Sequence, residues 1–204
     1  MTSCQWCSIP TMDSHEGVPR CARCAKTAID TGAQLGEPLR HVGAAMKRRG
    51  LVVKSPVKLV LRPSAQLEQR GLLAGVSPDA LGVTRCEGGS DTTIIIAIVS
   101  GLPDAIFRAV LVHEYAHAYL GSLRTTATLS PLMEEGFAEA LALDYLNVDL
   151  KTAESRVHAQ GMRNNPDPVY GAGLRKVYPA LQRIGAVRLG AAMAAGRLRA
   201  VGLA

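Results

Sequence analysis

Aromatic residues are scarce in this chain: two Phe, five Tyr and one Trp make up 4% of its 204 residues. Core packing therefore falls to alanine, leucine and valine, and an apolar content of 48% is enough to supply a real core. Long apolar runs are missing as well. The best stretch, Ile94 to Val112, is broken by Pro103, Asp104 and Arg108, short of the ~20 apolar residues that a membrane span needs. The N-terminus has no apolar signal core, so the expected location is cytoplasmic, without a membrane. Acids are outnumbered, 17 Asp and Glu against 23 Lys and Arg, for a net charge of +6. The arginines (Arg48, Arg49, Arg62, Arg70, Arg175 and Arg199 among them) are scattered, which reads as solvated surface; nucleic acid is not the expected partner. The length fits one main domain plus a small appendage.

Breakers are absent from one critical place. No Gly or Pro falls between Asp104 and Leu120, and the residues there are good helix formers. Within that helix lies His113-Glu114-Tyr115-Ala116-His117, the pattern HExxH. Positions i and i+4 share a helix face, so both imidazoles converge on one point, with Glu114 about 100° of rotation from His113. One turn thus offers two metal ligands and a general base. A lone HExxH can be accidental, so a third ligand decides. Ser130-Pro131 reads as an N-cap followed by proline at the first helical position. The helix it opens carries Glu134, Glu135 and Glu139. Glu135 follows His117 after 17 residues and stands directly before Gly136-Phe137-Ala138. A first-turn acid could instead simply suit the helix dipole. The pattern resembles the glutamate ligand of gluzincin metallopeptidases, and a small Gly136 would let the two helices come close around the ion.

Cysteine is also rare, and four of the five are crowded into the first two dozen residues: Cys4-x-x-Cys7 and Cys21-x-x-Cys24, 13 residues apart. That is the spacing of a structural Cys4 zinc site, which a segment too short to bury its own core would need. His15 lies between the hooks as a substitute ligand, although an exposed loop histidine is the simpler reading. Disulfides and a redox CxxC fit poorly, since neither a signal peptide nor a βαβ pattern accompanies them. Cys86 reads as a buried or strand-end thiol.

Other segments complete a small sheet followed by helices, an α+β order. A helix runs from Pro38 to Arg49 and stops at Gly50, with Leu39, Val42, Ala45 and Met46 on one face. Strands fall at Val57–Leu61, Leu81–Cys86 and Thr92–Val99, the last two separated by Gly88-Gly89. Gln66 to Val76 is ambiguous. Pro166, Pro168, Gly171 and Gly173 around Tyr170 suggest a rigid turn into a helix at Leu174–Tyr178.

Between residues 90 and 190 the chain resembles the LIM-domain, ubiquitin-activated peptidases of plants (the "DA-one" peptidases) and their short bacterial relatives. The residues that carry this are the Thr92–Val99 strand, Gly101-Leu102-Pro103, His113-Glu114-x-x-His117-Ala118, Leu129-Ser130-Pro131 with Glu134-Glu135-Gly136, and Pro168-Val169-Tyr170-Gly171-x-Gly173-x-Arg175. The resemblance implies a zincin-like metallopeptidase, residues 33–204, behind a zinc-ribbon or LIM-like Cys4 module, residues 1–32. It departs from the plant proteins in having one minimal Cys4 module and no visible ubiquitin-binding helix, so activation by ubiquitin is not carried over.

The resulting expectation is hydrolysis of peptide bonds in a protein or peptide substrate, with one catalytic and one structural zinc. Zinc on His113, His117 and Glu135 would lower the pKa of its water to about 7, with Glu114 as general base. Glu139 could brace a ligand imidazole. Tyr170 is the leading oxyanion donor, ahead of His158 and Arg175, although packing or turn anchoring would also account for it. Nothing resembles the G-x-M-E-N motif of aminopeptidase gluzincins, so an endopeptidase is expected. The rival is a catalytically idle protein that binds protein or nucleic acid through its Cys4 site. A third reading is a latent protease whose regulatory partner binds at that module.

Overall fold

The computed structural model describes residues 2–63, 80–87, 93–123 and 128–203. Among these it has mixed α/β content, with seven α-helices and small sheets. The Gln66–Val76 segment, the Gly88-Gly89 break, Thr92 and Arg70 lie outside the described residues. No helix among the described residues is long and apolar enough to cross a membrane.

The N-terminal segment is built from pieces too short for periodicity. Hairpin β1 (Thr2–Ser3) with β2 (Pro10–Thr11) and hairpin β3 (Ser14–His15) with β4 (Val18–Pro19) lead into the short helix α1 (Ala22–Ala25). Then β5 (Ala28–Ile29) pairs with β9 (Leu102–Pro103), the strand that feeds the HExxH helix. Around this pair Gly101 N–H donates to Ile29, Asp104 N–H to Thr27, and Arg20 pairs with Asp30 at 2.5 Å. Ile29 and Leu102 are buried in the main core. The N-terminal segment is thus joined to the rest by a ladder, and residue 32 falls after the strand that makes it.

Helix α2 (Gly36–Arg48) stops where Gly50 takes a positive φ of 73°. Val42, Ala45 and Met46 face the core as expected, but Leu39 is 40% exposed and its place on that face is taken by Pro38. The three-stranded sheet runs β6 (Val57–Arg62), β8 (Thr93–Val99), β7 (Gly82–Glu87), with β6 parallel and β7 antiparallel to the central strand. Ile94, Ile96 and Ile98 of β8 are fully buried, which explains its near-continuous apolar sequence. Cys86 is exposed near the end of β7.

From Asp104 the chain is helical: α3 (Asp104–Ser122), α4 (Pro131–Tyr145) with a π turn (Leu146–Leu150), α5 (Ala153–Arg163), α6 (Tyr170–Ile184) and α7 (Ala186–Ala194). Helix α3 packs on β7 and β8 on one side and on α4 on the other, with Phe107, Val112, Phe137, Leu141 and Tyr145 fully buried. Ion pairs close the far end: Arg49 reaches Asp144 at 2.7 Å and Asp149 at 2.5 Å, and Arg48 reaches Asp149 at 2.6 Å. Arg49 is therefore no solvated surface charge, and neither is Arg108, buried between Glu37 and Asp104.

Gly136 has a different partner from the one its position suggests. A Cβ there would meet the Gly173 carbonyl oxygen at 2.6 Å, so the close approach is between α4 and α6, not between α4 and α3. The turn before α6 is also shorter than expected: Tyr170 is the first helical residue, and Gly171 and Gly173 are inside the helix.

Candidate metal centre and catalytic cleft

Two clusters of metal-ligating side chains form among the described residues. In the first, the four thiols of Cys4, Cys7, Cys21 and Cys24 lie within 4.8 Å of one another. Cys7 Sγ and Cys21 Sγ are 3.5 Å apart, near the edge of about 3.8 Å that a tetrahedron of ~2.3 Å metal–sulfur bonds requires. The cluster is mostly buried and packs against Trp6. His15 is not among its donors. It is half-buried rather than exposed, with Nε2 3.4 Å from Asp30 and its ring against Gly101.

The second cluster is His113, His117 and Glu135. The Nε2 atoms of the two histidines are 3.1 Å apart, and Glu135 Oε2 stands 3.1 Å from His113 Nε2 and 3.4 Å from His117 Nε2. A tetrahedral ion with ~2.0–2.1 Å bonds has edges of about 3.3 Å, so this triangle is the right size. Among the described residues Glu135 Oε2 is buried with no hydrogen-bond partner, which is costly for a carboxylate unless something cationic meets it. Donor chemistry, spacing and the orphaned oxygen all fit a divalent ion.

Carboxylates hold the outer ring nitrogens. His113 Nδ1 is 3.0 Å from Glu139 Oε1, and His117 Nδ1 is 3.4 Å from Glu134 Oε1. Such pairs orient an imidazole toward a metal. Glu139 stands in the bracing position read from the sequence; Glu134 was missed there because first-turn acids are common at helix starts. Burial disfavours charge on both imidazoles, but Glu135 and Glu139 at His113, and Glu134 and Glu135 at His117, outweigh it: His113 is held well above the histidine range, and His117 is raised to about 9. Burial opposes ionisation of Glu135 too, but the imidazoles win and lower it to about 2. The pocket is built to hold positive charge.

Glu114 is 5% exposed and held by the edge strand. Thr84 Oγ1 lies 2.8 Å from Glu114 Oε2 and 2.9 Å from the Glu114 carbonyl, and can donate to either. Gly82 makes room for the side chain, because a Cβ at Gly82 would lie 2.8 Å from Glu114 Cγ. No sequence spacing links residues 82 and 84 to 114, so neither was legible.

Tyr170 also reaches the metal-ligating cluster. Its ring stacks on His113 with centroids 6.2 Å apart and planes 28° apart. Asp167 fixes the start of α6 by accepting from Val169 N–H at 2.7 Å and Tyr170 N–H at 2.8 Å. Burial and the carboxylates of Glu135, Glu139 and Glu114 raise the phenol to about 12, so it stays protonated and able to donate. The other two oxyanion candidates have different surroundings. Arg175 is exposed and donates to the Asn165 carbonyl at 2.7 Å. His158 on α5 is held below the histidine range by burial, with Glu139 as the opposing charge.

Comparison with known proteins adds a family. Residues 41–162 match the model of the family DA1-like, described as "Protein DA1". No curated protein and no solved structure matches the chain. The matched span takes in His113, Glu114, His117, Glu135 and Glu139, and leaves outside it the four clustered cysteines and Tyr170. A match across more than half of the chain, taking in these residues, makes the protein a member of the DA1-like family.

Proposed function

We propose that the protein is a zinc metallopeptidase of the gluzincin type with a zincin-like fold, and that it cuts within polypeptide chains. The observation that carries this reading is the triangle of His113 Nε2, His117 Nε2 and Glu135 Oε2 beside a buried, hydrogen-bonded Glu114. Zinc held there would supply Lewis acidity to a water and to the scissile carbonyl. Glu114 takes the proton of the attacking water and returns it to the leaving amine. The Thr84 hydroxyl, when it donates to Oε2, favours the orientation in which Glu114 meets the water, so less ordering is left to each turnover. The Tyr170 hydroxyl is a neutral donor for the oxygen that gains charge in the transition state. Glu139 and Glu134 hold the two imidazoles in place. The Cys4 cluster, with four thiolates and no open position, serves folding of the N-terminal segment.

The idle binding-protein reading does not account for Glu114. A non-catalytic metal site has no use for a buried carboxylate held at 2.8 Å by an edge-strand hydroxyl. Purified protein should carry about two zinc per chain, one in each cluster. Glu114→Gln should lower peptide hydrolysis by about 10²–10⁴-fold, the usual range for losing a general base, while zinc content is unchanged. Full activity in that variant, or one zinc that disappears with the cysteines, would sink the proposal.

A further inference from the structure

A groove of about 330 Å³ beside the N-terminal segment is not used by the chemistry above. Its walls come from two parts of the molecule. Trp6 and Arg23 belong to the cysteine-bearing segment, Ile106 to the start of α3, and Val157 and His158 to α5. Val157 is 68% exposed, a large aliphatic side chain left uncovered. Arg23 pairs with Glu154 of α5 at 3.8 Å.

Two rulers connect this groove to the cleft. The first is α3. Between Ala105 and Leu120 only Ile106, Val110, His113, Tyr115 and His117 escape full burial, and all but Tyr115 form a stripe at spacings of four, three and four. Ile106 is two turns before His113, about 10 Å at 1.5 Å per residue. The second ruler is β7. Trp6 lines a second, small cavity together with Leu81, at the mouth of β7, and Thr84, three residues on, holds Glu114. Three strand residues also span about 10 Å. An extended peptide advances ~3.3 Å per residue, so the helix places the groove about three residues from the bond being cut, and β7 places the small cavity that shares Trp6 with it at a like distance.

We propose that the groove is a specificity subsite that takes an apolar side chain (Leu, Ile, Met or Phe) about three residues from the scissile bond of an extended substrate, read by Trp6, Ile106 and Val157. This rests on the peptidase reading. It gives the cysteine cluster a second task, because Trp6 sits inside the Cys4-Gln5-Trp6-Cys7 hook, and thiolates that fold the segment also hold one wall of the subsite.

Cleavage sites in a peptide library made from digested protein should show Leu, Ile, Met and Phe enriched three residues from the cut. In matched synthetic peptides carrying Leu or Ser there, kcat/KM should differ by about tenfold. Val157→Glu, at an exposed position where folding is not at stake, should bring that ratio close to one, and Ile106→Ala should reduce it. A flat profile at that position, or a ratio unmoved by Val157→Glu, overturns the subsite. A separate readout needs no turnover. Trp6 is the single tryptophan of the chain, so its emission in the zinc-loaded Glu114→Gln protein reports the groove directly. The Leu peptide should shift it with a Kd about tenfold tighter than the Ser peptide. If wild type cuts nothing beyond the Glu114→Gln control, the peptidase reading fails. A Leu-selective emission shift would then still establish the groove, and its absence would overturn it.

Discussion

Thr84 is a small side chain on which the proposed base depends. Its hydroxyl lies 2.8 Å from Glu114 Oε2, and no other side-chain donor is recorded on that carboxylate among the described residues. Thr84→Val keeps the shape and removes the bond. It should lower kcat by about ten- to a hundredfold with little change in KM, as expected for misdirecting a reacting group. Zinc content should hold, and Thr84→Ser should recover most of the rate. Equal losses in kcat and zinc would mean that Thr84 supports the fold rather than the base. This residue also marks the limit of sequence reading. His113, Glu114 and His117 were legible because helical spacing is local, and Glu135 because a capped helix start announced it. Thr84, Gly82 and the Gly136–Gly173 contact are meetings across 30 or more residues, and nothing near them in sequence records the partner.

At the scale of elements, the helices and the central strand were legible from local signals: the apolar face and Gly50 stop of α2, the unbroken helix formers of α3, Ser130-Pro131 before α4, and the apolar run of β8. The N-terminal hairpins were not, because strands of two residues have no period and their shape follows from the thiol cluster. Neither was the staple from the end of α2 to the π turn. Burial alone would raise the Asp149 carboxyl, but Arg49 and Arg48 outweigh it and hold it below the usual carboxylate range. A depressed folded-state pKa contributes stability above the unfolded value and loses it as pH falls through the folded one. Asp149→Asn should therefore cost about 2 kcal/mol near neutrality, less than losing a buried pair outright because Asp144 still meets Arg49. Denaturant titrations of wild type and variant at falling pH should show the gap closing below about pH 4. A gap that persists at pH 2 would assign the cost to packing.

At the scale of the whole molecule, the two metal clusters have unequal structural weight. The main core, from Met46 through Phe107, Phe137 and Tyr145, is continuous and apolar and needs no ion to hold it. Among the described residues, Trp6 is the one hydrophobic side chain beyond its own cysteines that packs on the thiol cluster. A chelator should therefore erase activity by stripping the open histidine site while helical circular dichroism survives. Cys21→Ser with Cys24→Ser should abolish amide protection in residues 4–25 but spare Ile29 and its partner Gly101 across the ladder, which hydrogen exchange will resolve. Loss of protection in α3 as well would make the thiol cluster part of the main core.

The β5–β9 ladder also dictates where the chain can be cut. A shortened protein starting at residue 33 would discard Ala28 and Ile29 and leave β9 as an open edge, with the Gly101 and Asp104 amides unpaired beside buried Leu102. Open edges recruit other chains. Such a fragment should elute as aggregate on size exclusion, whereas one starting at Lys26, without a single hook cysteine, should run as a monomer. The practical boundary for recombinant work thus lies ahead of Thr27, inside what looks from its cysteines like a detachable module.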